Sequence, residues 1–167
     1  MQTNNSLTIT AFNIRVYGIL TNTNNQILVS DEYIRGNFIT KFPGGGLEFG
    51  EGTKECLKRE FIEEANLEVI VGEHIYTTDF FQLSTFNNQH QIISIYYFVS
   101  AKELIKIKTS NKKFDFLPHQ IADKNLCAES FRWIDFNDFS ASSVSLPIDK
   151  IVVNMLKNIL HKKTQSL

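Results

Sequence analysis

Cysteine is scarce in this chain. Cys56 and Cys127 are the two in 167 residues, and they form neither a CxxC pair nor a disulfide framework. The four histidines are scattered at His74, His90, His119 and His161, so the clustered nitrogen and sulfur ligands of a zinc site are missing as well. Both thiols are read as free and buried or partly buried, which suits a reducing, cytoplasmic setting. No run of 18 apolar residues occurs, and the opening MQTNNSLTIT has neither a basic nor an apolar signal region. The expectation is a cytoplasmic protein, neither secreted nor membrane-spanning. A formal net charge of −1 gives no general attraction for nucleic acid or an anionic membrane, so a phosphate ligand must be held by local features. The one Lys-richer stretch, Lys102 to Lys113, is read as a solvated strand and loop, with contact to a substrate phosphate or within a homodimer as the alternative.

What is present is enough apolar material for a core: 43% hydrophobic residues, 14 of the chain's residues being Phe and only three Pro. This composition and length predict one folded domain over 1–167. AFNIRVYGILT (Ala11 to Thr21) and QILVSD (Gln26 to Asp31) are β-rich runs around the turn NTNN and read as a hairpin. FITKF (Phe38 to Phe42) leads into a run of glycines. Thr53 to Ala65 then lacks Gly and Pro and spaces apolar groups at Leu57, Phe61 and Ala65, predicting a helix with Thr53 as its N-cap. Long β-like runs follow at about residues 68–83 and 89–101, with a shorter one at LIKIK. An irregular loop is expected over 110–124, and ESFRWIDF (Glu129 to Phe136) is a further strand. Pro147 to His161 carries apolar groups at Ile148, Ile151, Val152, Met155, Leu156, Ile159 and Leu160, the pattern of a second amphipathic helix.

The first helix is unusual. Glu60, Glu63 and Glu64 fall within an arc of about 100° beside the apolar stripe, at the core's edge. Like charges at these spacings repel, and in the final turns they also oppose the negative end of the helix dipole. A divalent cation among them reverses the sign of each interaction. Oxygen-only ligands select Mg2+ or Mn2+ over Zn2+. A solvated acidic face is the plain alternative on spacing alone. Gly44, Gly45, Gly46, Gly50 and Gly52 favour the metal reading, because they let the backbone come close to a ligand or to the helix. A Walker A loop is excluded, since Gly50 is followed by Glu51 and Gly52 rather than Lys-Ser/Thr.

Taken together, Gly45, Glu51, Arg59, Glu60, Phe61, Glu63, Glu64 and Leu67 resemble the Nudix box, G-x5-E-x7-R-E-U-x-E-E-x-G-U with U a bulky apolar residue. Phe61 replaces the usual aliphatic residue, and Asn66 stands where the family has Gly. Asn is the residue that best tolerates the left-handed conformation after Gly, so the turn is expected to survive. The resemblance implies an α/β fold, a mixed β-sheet sandwiched between α-helices. It also implies Mg2+-dependent hydrolysis of a nucleoside diphosphate linked to another moiety X, by water attack at phosphorus, with nucleotide sugars or nucleoside triphosphates as the substrate type. In this reading Glu60, Glu63 and Glu64 hold the metal, the Gly44 carbonyl adds an oxygen, and Glu60 or Glu63 takes the proton from water. Arg59 anchors a carboxylate such as Glu51, and Glu129 is a further candidate base or ligand outside the box. Phe42, Phe80, Phe81 and Phe86 are candidates to stack on a base. The absence of a proline at the downstream spacing of ADP-ribose-specific members argues against that substrate. A catalytically silent nucleotide-binding module of the same fold and an acidic cation-sequestering domain are the competing readings.

Overall fold

The structure, a computed structural model, describes residues 8–164. Strands β1 (Ala11–Leu20), β2 (Gln26–Ile34), β3 (Asn37–Lys41) and β4 (Gly44–Gly46) precede helix α1 (Thr53–Ala65). Strands β5 (Val69–Thr77), β6 (His90–Ala101) and β7 (Cys127–Asp135) then lead to helix α2 (Pro147–Thr164). Two sheets form: a mixed sheet ordered β4-β1-β6-β5 and an antiparallel one ordered β3-β2-β7. Among the described residues, no helix is long and apolar enough to cross a membrane.

The alternation of β1 explains the layering. Val16 and Leu20 pack with Cys56, Leu57 and Phe61 of α1, whereas Tyr17 and Ile19 pack with Ile148, Val152 and Leu156 of α2. A strand covered on both faces needs apolar residues at consecutive positions, which β1 has. Each such side chain contributes about 1.5–3 kcal/mol on burial. The result is the expected sandwich of β-structure between helices, with the sheet divided in two.

That division corrects the predicted hairpin. After the turn, where the Asn22 carboxamide Oδ1 accepts from the Asn24 and Gln26 N–H groups, β1 and β2 are joined by a single bridge between Thr21 and Ile27 and then part. β1 instead pairs in parallel with β6 along its full length, Ala11 with His90 through Leu20 with Val99. Other boundaries also move. The run at 68–83 is a strand only to Thr77, with residues beyond it touching β6 through a Leu83–Gln91 bridge. LIKIK forms no regular strand; Ile105 and Ile107 turn onto the α1 core while Lys106 and Lys108 are exposed. Thr53 is not the N-cap of α1. Gly52 holds that position, its carbonyl accepting from Cys56 N at 2.9 Å, because the Thr53 hydroxyl is turned to the Tyr97 hydroxyl at 2.8 Å. In α2, Ile151 is exposed and Val153 is buried in its place; the Leu160 side chain lies outside the described residues.

The two departures from the family pattern are accommodated. Phe61 fits because Gly18 faces it on β1, where an added Cβ would lie 2.7 Å from the Phe61 ring. Asn66 takes φ 47° and ψ 43° and donates its N–H to the Ile62 carbonyl at 3.0 Å, closing the helix.

At the start of α2, Asp149 is fully buried. Its Oδ1 accepts from the Tyr96 hydroxyl at 2.6 Å, while Oδ2 has no partner. Burial pushes its pKa up to about 7, with the Tyr96 hydrogen bond and the Lys41 charge opposing that rise and Glu32 adding slightly to it. The folded protein therefore holds a proton that the unfolded chain, with Asp near 3.9, releases. This group's contribution to stability is full below pH of about 4 and is lost as pH rises through about 7. Asp149→Asn is expected to flatten this part of the profile, read as the difference in urea midpoint between pH 5 and pH 8.

Candidate active site

Arg59, on the side of α1 that meets the glycine loop, organises the box. Its Nε and Nη2 grip Glu51 as a fork at 3.1 and 2.7 Å, and Nη2 also donates to the Gly46 carbonyl at 3.0 Å. Nη1 donates to Glu60 Oε1 and Glu63 Oε2, both at 3.0 Å. All five guanidinium N–H groups are thus engaged, which a lysine could not imitate. Glu51 also accepts the Glu48 N–H at 2.9 Å. The Arg59 fork, helped by that N–H, holds the Glu51 carboxyl down at about 2. Glu60 is buried at 8% exposure against the loop. Gly45 makes this approach feasible, since a methyl there would overlap the Glu60 carboxylate. Gly45→Ala is expected to displace Glu60 and cost about 1–3 kcal/mol as overpacking does, measured as a fall in denaturation midpoint alongside a loss of turnover. Cys56, beneath this web, donates to the Gly46 carbonyl at 3.3 Å, and burial pushes its thiol up to about 12.

The geometry sorts the three box glutamates. Glu60 and Glu63 turn to Arg59, and Glu63 is exposed. Glu64 instead faces the antiparallel sheet, where oxygens of Glu32, Glu64 and Glu129 lie within 4.8 Å of one another. Glu32 and Glu129 are direct cross-strand partners in the β2–β7 register, a placement that like charges disfavour. Glu129 Oε1 accepts from the Ser30 hydroxyl at 2.6 Å, and burial raises its pKa against that hydrogen bond. Glu64 Oε2 is buried with no partner. Burial pushes Glu64 up to about 8, with Lys41 opposing the rise and Glu129, Glu60 and Glu32 reinforcing it. The contrast is Asp31, wholly buried and next to Glu32 on β2. It receives the Arg132 fork at 2.9 and 3.1 Å and the Thr40 hydroxyl at 2.7 Å. The fold satisfies Asp31 completely and leaves Glu64 open.

Lys41 is the cation the cluster does have. It is 3% exposed and reaches Glu32 at 2.8 Å and the Gly44 carbonyl at 2.7 Å. Burial alone would lower its pKa; Glu32 and Glu64 more than offset this, and the ammonium stands above the ordinary lysine value. The Gly44 carbonyl, expected from sequence to face a metal, is in contact with Lys41 here. Ionised, as metal ligation requires, the three carboxylates and the one ammonium leave a net charge of minus two, which a divalent ion cancels. The donor set is oxygen only, as Mg2+ or Mn2+ requires, and the orphaned Glu64 oxygen supplies the vacant ligand atom.

Glu32 and Lys41 were not legible as site residues. Lys41 lies inside a β-rich run where a charge reads as the solvent face, and the preceding strand was expected to stop at Asp31, one residue short of Glu32. Of the aromatic candidates, Phe42 is wholly buried between Tyr96 and Phe139 and cannot stack on a ligand. Phe80 and Phe81 are exposed at 38% and 53%, and Phe86 lines a cavity beside Glu32 and Lys41. Cys127, expected to be at least partly buried, is exposed at the start of an edge strand.

The whole arrangement has relatives. A family model described as the NUDIX domain matches residues 11–152. No curated protein matches the chain. Among solved structures, a Nudix hydrolase from Nitrosomonas europaea is 16% identical with a TM-score of 0.62, over 88% of this chain and 89% of that one. A MutT protein from Methanosarcina mazei Go1 is 16% identical with a TM-score of 0.61, over 95% and 99%. An ADP-ribose pyrophosphatase from Streptococcus suis is 14% identical with a TM-score of 0.53, over 90% and 91%. At these identities the structures speak for the fold. With the domain match spanning most of the chain and the box laid across the glycine loop, α1 and the turn that closes it, the chain belongs to the Nudix family.

Proposed function

We propose that this protein hydrolyses a nucleoside diphosphate linked to a further moiety X, with Mg2+ or Mn2+, by attack of water at phosphorus. The observation that carries this is the buried, partnerless Glu64 Oε2 set among Glu32 and Glu129. Glu64, Glu129 and Glu32 would hold the ion. When bound, it neutralises the diphosphate oxygens as charge develops on them.

The chain's own residues supply the rest. Arg59 fixes Glu60 through Oε1, leaving Oε2 to take the proton of the attacking water. The water oxygen bonds to phosphorus, the bridging P–O bond breaks, and the departing phosphate oxygen carries away the electron pair. Lys41 balances the carboxylates before substrate arrives, and Glu51 with Arg59 keeps the glycine loop against the helix. Glu63, exposed and paired with Arg59, stands as an outer support of that web.

The test is a panel of nucleotide sugars, dinucleoside polyphosphates and nucleoside triphosphates incubated with and without Mg2+ in 18O-labelled water. Mg2+-dependent product carrying the label on a phosphate is expected. Label on the sugar or alcohol alone, or release that ignores metal, would overturn the reading.

A further inference from the structure

Beside the carboxylate cluster, on the side away from α1, lies a cavity of about 130 Å3. Glu32 and Lys41 are among the residues that line it, so it adjoins the proposed diphosphate site. Ile39, Phe86, Ile92 and Ile148 give it apolar walls, while Gln82, Ser84, Thr85 and Ser94 add polar groups to the lining. Phe86 is held in place from outside, its carbonyl accepting from Arg35 Nη1 at 2.8 Å while the Arg35 guanidinium lies 5.7 Å from the ring centre.

One wall is different. Asn13 and Arg15, two apart on β1, both line the cavity. Arg15 spends only Nε, on the Tyr17 hydroxyl at 3.4 Å, and has no ion pair among the described residues. The Asn13 carboxamide makes no hydrogen bond among the described residues either. A guanidinium with idle donors in a largely apolar cavity calls for an acceptor-bearing ligand.

The ligand's class follows by elimination. A phosphate would be stripped of water against isoleucines, at high cost, and the carboxylate cluster already provides for phosphates through a metal. A sugar carries hydroxyls all around its edge, and those turned toward Ile39, Phe86, Ile92 and Ile148 would be left unpaired even with the polar lining residues engaged. A flat ring with carbonyl oxygens on one edge suits both surfaces. In size, the cavity is close to the roughly 150 Å3 apolar cavity that takes one benzene, which favours a single ring over a fused pair. We infer that this cavity holds a pyrimidine base, and that Arg15, supported by Asn13, selects it by donating to the base carbonyl. For its substrate the inference rests on the hydrolase reading above, and it narrows that reading to pyrimidine nucleoside diphosphate derivatives.

Uridine and adenosine 5′-monophosphates are suitable probes, since neither contains the bond to be broken. In Mg2+, the wild-type protein should bind the uridine compound at least about tenfold more tightly by calorimetry, the discrimination of one good side-chain-to-base contact. Arg15→Met should remove that preference by weakening uridine monophosphate about 10- to 100-fold, with the adenosine compound unchanged. Arg15→Lys, which keeps the charge but not the fork, should lose most of it too. If neither variant folds, Asn13→Ala must by itself narrow the ratio. Equal affinities in the wild type, preference for a purine, or a preference that survives both Arg15 changes overturns the inference. Hydrolysis separates the two readings. Uridine preference in binding with no Mg2+-dependent hydrolysis across the panel removes the hydrolase reading alone, whereas hydrolysis without base preference removes this one alone.

Discussion

Replacing Glu64 with Gln is expected to lower kcat about a thousandfold in saturating Mg2+, on the scale of the several kcal/mol that a bound metal contributes to transition-state charge. The same change should raise the unfolding midpoint in metal-free buffer. The two effects have one cause. Without metal, Glu64 Oε2 is buried with no hydrogen-bond partner, a condition that costs about 1–3 kcal/mol, more when the group is charged. Glutamine keeps the shape and removes both costs that the metal-free carboxyl faces, taking up a proton below pH of about 8 or leaving its charge against Glu32 and Glu129 above it. With metal, the same charge is the reason the ion binds, so the thermal shift produced by Mg2+ in the wild type should shrink or vanish in Glu64→Gln. Thermal scans with EDTA and with Mg2+, together with kcat on any panel substrate, check all three parts. A variant that is less stable without metal, or that keeps the full Mg2+ shift, would place the ion elsewhere.

This division of labour among the box glutamates could be read only partly from sequence. The box showed that acidic residues were crowded at the end of one helix, and helical periodicity put them at the core's edge. Periodicity does not say what each glutamate faces. Glu60 and Glu63 are drawn to Arg59 because a guanidinium offers five donors in one plane. Glu64 lies past the reach of that fork and meets Glu32 and Glu129. Those two are 97 positions apart in the chain and become neighbours only through the β2–β7 register. Glu129 could be suspected from its place before Phe131, Arg132 and Trp133; Glu32 falls just past the run that was expected to end at Asp31, in a strand that continues to Ile34. The elements themselves were more legible than their pairing. β1 and β2 look like a hairpin locally, and it is the demand for apolar cover on both faces of β1 that sends them into different sheets.

Lys41 gives the second large effect. Lys41→Met is expected to destabilise the metal-free protein by about 3–5 kcal/mol, the usual result of removing one partner from a buried ion pair. Methionine fills a similar volume, so the loss is electrostatic: Glu32 loses its 2.8 Å partner, the Gly44 carbonyl loses its donor, and Glu64 and Glu129 are left with no cation nearby. At an effective dielectric near 20, two like charges about 5 Å apart repel by roughly 3 kcal/mol, so the carboxylates have a strong need for a replacement. Mg2+ or Mn2+ can meet it. The variant should therefore recover most of its lost stability on adding metal, and its midpoint should rise more per unit of metal than the wild type's, because no ammonium competes for the same oxygens. The variant is best purified with Mg2+ present and then titrated with EDTA while unfolding is followed by circular dichroism. Unfolding on chelation, reversed by Mg2+, is the expected outcome. A folded variant whose stability is the same with and without metal would show that these carboxylates are balanced by other means and that the cluster does not bind the ion.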